Sequence, residues 1–69
     1  MNDIPLEVKR QLIENEIAMH RNSVYVLSVR HRVNKKLGQT EEQLKPLADE
    51  IAKSEMAIDE LEKVMGELK

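Results

Sequence analysis

Two histidines have the widest chemical repertoire in this chain. His20 and His31 stand eleven residues apart. On a helix that is about three turns, so both rings point the same way but lie roughly 16 Å apart along the axis. One chain cannot close both around one metal ion, and no His-x-x-x-His or His-Glu-x-x-His spacing is present. Their expected place is the edge of an apolar face, satisfied by a carboxylate or a backbone carbonyl. If buried there, they would loosen the packing when protonated in mild acid.

The carboxylates offer less. Glu41-Glu42 and Asp59-Glu60 are adjacent, and adjacent residues diverge by about 100° on a helix, so neither pair forms an acid/base dyad. The chain has no Cys, hence no thiolate ligand or nucleophile. It has no Gly-rich phosphate loop, nucleophile elbow or Ser/His/Asp arrangement. Neither an enzyme nor a cofactor is expected from these residues.

Charge is the other candidate. Residues 1–37 hold seven Lys or Arg against four Asp or Glu; residues 38–69 hold four against nine. No acid occurs between Ile17 and Thr40, whereas Arg21, Arg30, Arg32, Lys35 and Lys36 do. Such a segment suits nucleic-acid phosphates. The net charge is −2 and the pI about 5.6, and one Tyr with no Phe or Trp leaves no stacking platform for bases. The same cations would equally be neutralised within the chain by Glu41, Glu42, Asp49, Glu50 and Glu55.

The elements that position these residues read as two helices. Pro5 disfavours helix at Ile4 and suits the first helical position. Glu7 in the first turn and Lys35 and Lys36 in the last match the helix dipole. Gly38 reads as a left-handed C-terminal cap, which predicts a first helix over about 5–37. Thr40-Glu41-Glu42-Gln43 has capping-box spacing and predicts a second helix over about 40–68, kinked or loosened near Pro46. Val24-Tyr25-Val26-Leu27-Ser28-Val29 is β-branched enough for a strand, but its flanks are helical without a break and a lone strand has no partner. The two-residue turn 38–39 returns the helices antiparallel. Residues 1–69 thus read as one all-α domain, an antiparallel two-helix hairpin.

The apolar residues go further. The second helix carries a near-regular heptad seam through Leu44, Leu47, Ile51, Ser54, Ile58, Leu61, Met65 and Leu68, with Ser54 read as a small residue at a close crossing. The first helix carries two stripes: Leu6, Ile13, Ile17, Val24 and Leu27, and Val8, Leu12, Met19, Val26, Val33 and Leu37. They lie roughly 130–140° apart at 100° per residue. Glu16 and Arg30 fall between them, where they either form register-fixing ion pairs or cover apolar surface with their stems.

One hairpin cannot fill two stripes. Self-association into a four-helix bundle, most simply as a homodimer, is the expected solution. Leu12, Ile13, Ile17, Met19, Val24, Val26, Leu27, Val33, Ile51, Ile58, Leu61 and Met65 are the expected interface. Tyr25, with Ala18 and Val29, forms a candidate outer patch for a protein partner, and Met56 also points outward. No apolar run approaches the roughly 18 residues of a membrane span, and no signal-peptide pattern opens the chain, so a cytoplasmic protein is expected. The expected function is protein–protein interaction, assembly or regulation without catalysis. The alternative is a nucleic-acid-binding hairpin dimer that uses the basic segment 20–36.

Overall fold

The computed structural model describes residues 3–68. It contains two helices, α1 (Leu6–Lys36) and α2 (Glu41–Glu67), packed against each other along their lengths. The hairpin measures 55 × 18 × 14 Å. Residues 24–29 are helical throughout, inside the 31-residue α1. Their β-branched side chains yield to the continuous helical pattern around them.

The ends of the helices follow the local signals, shifted by a residue. Pro5 is the N-cap of α1, not its first helical residue. Its ψ of 149° is extended, while its carbonyl already accepts the Lys9 N–H at 3.0 Å. Ring closure fixes only φ, so proline serves the cap as well as the first turn. At the other end Leu37 is the C-cap and Gly38 has φ of +101°. The Gly38 N–H donates to the Lys35 carbonyl and the Gln39 N–H to the Asn34 carbonyl, both at 3.1 Å. This is the paired Schellman arrangement, which satisfies carbonyls that the ending helix leaves open.

The second helix starts on its capping box. The Gln43 N–H donates to Thr40 Oγ1 at 3.2 Å, and the Thr40 N–H donates to Gln43 Oε1 at 2.9 Å. Pro46 lies inside α2, and the helix continues through it without interruption. The missing N–H deprives only the Glu42 carbonyl of its helical donor, and Glu42 is exposed to water.

The core is a single line of contact. Ile17 and Leu44 are the buried apolar side chains among the described residues, and Ser54 is the buried polar one, at 9% exposure. Half-buried residues complete the line: Ile13, Val24 and Leu27 on α1, and Leu47, Ile51, Ile58, Leu61 and Met65 on α2, with Leu68 just past its end. The burial of Ser54 agrees with a small residue at the crossing. Among the described residues no buried side-chain polar atom lacks a partner.

Candidate functional site

On α1 the inward-facing residues are spaced alternately by three and four: Ile13, Ile17, His20, Val24, Leu27, His31 and Asn34. Both histidines therefore stand in the seam rather than at its edge. Neither has a carboxylate in salt-bridge range or a side-chain hydrogen bond among the described residues, so the expected partner for each is absent. His31 borders a shallow groove with Ser28, Ala48, Ile51, Ala52 and Glu55. Both rings are half-buried, which leaves an edge within reach of water. Asn34 was not singled out by sequence reasoning. The unbroken three–four alternation on α1 was the available signal, and its polar members obscured it.

Seen from this seam, the expected interface residues separate into two sets. Ile13, Ile17, Val24 and Leu27, with Ile51, Ile58, Leu61 and Met65, lie on the contact between α1 and α2. Leu12, Met19, Val26 and Val33 do not. They form one column, seven residues apart, on a face of α1 that α2 never reaches. Their exposures are 51%, 54%, 50% and 49%. Val8 and Leu37 extend the column, and Val29 flanks it; all three are exposed. One groove on this face is lined by Met19, Asn22, Ser23, Val26 and Leu27, and another by Val29, Arg32, Val33, Lys36 and Leu37.

The expected outer patch is on the same helix. Tyr25 is 71% exposed, and Ala18 and Val29 are exposed on the same side of α1, about 100° around the helix from Met19 and Val26 in the case of Ala18 and Tyr25. Met56 points outward from α2.

The basic segment is only partly neutralised. Arg21 Nη2 donates to Glu62 Oε2 at 3.2 Å, and Lys35 Nζ lies 3.9 Å from Glu41 Oε1. Arg30, Arg32 and Lys36 take part in no ion pair among the described residues. Of the five acids expected to neutralise the segment, only Glu41 does so; Glu50 pairs with Lys53 on its own helix, at 3.6 Å. The remaining charges of α2 point away because its inward stripe is apolar. The pair with Glu62 was not expected. Glu16 and Arg30 are both exposed and take part in no ion pair among the described residues.

No group of three or more metal-ligating side chains converges among the described residues. No helix there is long and apolar enough to cross a membrane. Comparison with protein-family models, with curated proteins and with solved structures gives no match.

Proposed function

We propose that this chain is a non-enzymatic assembly protein, a helical hairpin that pairs with a second copy to form a four-helix unit and offers its outer surface to a protein partner. The observation that carries this reading is the column Leu12, Met19, Val26 and Val33, each about half exposed. A scattered exposed apolar side chain needs no explanation, but a continuous line of them on a small protein marks a contact surface. The hairpin also has little core of its own, with two buried apolar side chains among its described residues. Covering the column in a dimer supplies the burial that a two-helix unit of this size needs. Tyr25, on a different face of α1 from the column, is the residue best suited to hold a further partner, because tyrosine combines a large apolar area with a polar tip. Sedimentation equilibrium at micromolar concentration is the test. A mass near twice the 8.0 kDa of the chain supports the reading, and a folded monomer overturns it.

A second reading rests on Arg30, Arg32 and Lys36, which are free of ion pairs among the described residues and exposed on the C-terminal half of α1. They would contact phosphates of a nucleic-acid duplex. Binding of this kind falls steeply with salt. Retention on heparin that is lost in Arg32→Glu with Lys36→Glu supports it, and no retention at low salt removes it.

A further inference from the structure

The exposed column of α1 has a built-in direction, and we infer that two copies pair through it antiparallel, about a two-fold axis beside Ser23. This rests on the self-association proposed above and specifies its geometry. The acids of α1, Glu7, Glu14 and Glu16, all precede Ile17 and share that segment with Lys9 and Arg10, whereas from Ile17 to the helix end the only charged side chains are the cations Arg21, Arg30, Arg32, Lys35 and Lys36. Two such helices side by side in the same direction set one strongly basic half against the other. Reversing one of them sets each basic half against a half whose charges nearly balance and brings Glu16 toward a cation, which favours association and fixes orientation.

The register follows from one line of residues along the column's flank. Glu16, Ser23 and Arg30 are seven apart on the same face. A two-fold axis at Ser23 brings each Glu16 to the partner copy's Arg30, twice per dimer. Both side chains are exposed and take part in no ion pair among the described residues, which leaves both available for this contact. The same axis sets Leu12 beside the second copy's Val33, and Met19 beside its Val26, within about one residue's rise of 1.5 Å. All four members of the column are then covered. Moving the register by one heptad leaves one of the four without an apolar partner and separates Glu16 from Arg30.

The residues at the axis fit as well. Asn22 and Ser23 interrupt the apolar surface between Met19 and Val26, and they line one of its grooves. A residue on a two-fold axis meets its own copy, so a charged side chain there would repel itself. Asn and Ser each both donate and accept, and so can bond to their own copies.

Orientation is tested with single cysteines, which are unambiguous because the chain has none. Nitroxide labels at Gln11→Cys and at Tyr25→Cys are measured separately by pulsed electron spin resonance. The antiparallel pair places the two labels at position 11 about 36 Å apart along the axis and those at position 25 about 6 Å apart. A parallel pair gives equal short distances at both positions and overturns the inference while leaving the dimer intact. Charge reversal is the second arm. Glu16→Arg raises the dimer dissociation constant about tenfold, and Glu16→Arg with Arg30→Glu restores it to near the wild-type value. An unchanged constant in Glu16→Arg, or no rescue in the double variant, also overturns it. If the wild-type chain is monomeric, the self-association reading itself has failed, which is a different outcome.

Discussion

The two glycines show how one atom changes sign with backbone conformation. A Cβ built on either Gly38 or Gly66 meets nothing within 4 Å, so space does not separate them. Gly38 has φ of +101° and Gly66 is an ordinary helical residue. Gly38→Ala is expected to lower stability by about 1–2 kcal/mol, the cost of placing an L side chain at positive φ. Gly66→Ala is expected to raise it by up to about 1 kcal/mol, since alanine loses less entropy in a helix. Urea unfolding of both variants at one protein concentration checks the opposite signs. Gly38 was legible in the sequence because it follows a long helical pattern ending in Lys35 and Lys36. The seam positions of His20 and His31 were less so. A polar ring at a half-buried position interrupts the hydropathy pattern that marks a seam.

At the scale of the element, α1 carries two apolar lines and α2 one. Periodicity revealed both lines on α1, but it did not state which one α2 covers. The turn and the three–four spacing of α2 decide that, and they choose the line through Ile17. Two substitutions to the same residue should therefore behave differently. Ile58→Asp places a charge in the contact between α1 and α2 and is expected to unfold the hairpin, with loss of most helical circular dichroism. Val26→Asp acts on the exposed column and is expected to shift the mass from dimer toward monomer, with a smaller loss of helicity. Equal helix loss in the two variants at high protein concentration would contradict the separation. Element boundaries were legible to within a residue because Pro5, Gly38 and the Thr40–Gln43 box each have one local use. The Arg21–Glu62 pair was not, since it links residues 41 apart in sequence and depends on the register of the finished hairpin.

At the scale of the whole molecule, the angle between the two lines of α1 would set the shape of the proposed assembly. Roughly 130° exceeds the right angle that a square bundle of four helices requires. With α1 paired to its copy as proposed, the two α2 helices would stand apart on one side of the central pair, and the dimer would be an open trough and not a closed bundle. Tyr25 lies outside the column and would stay exposed in such a dimer. The outward charges of α2 stay in water, consistent with a helix that buries one stripe and solvates the rest.

The tight turn also sets the order in which the hairpin forms. Lys35 and Glu41 are six residues apart in sequence, whereas Arg21 and Glu62 are 41 apart. Each contact farther from the turn closes a larger loop unless the inner contacts already exist. Folding is therefore expected to run as a zipper from Gly38 outward, with a rate governed by the few residues at the bend. In stopped-flow experiments Gly38→Ala is expected chiefly to slow folding, and Ile13→Ala chiefly to hasten unfolding. In time, the chain is a clasp that closes at its hinge and opens from its free ends.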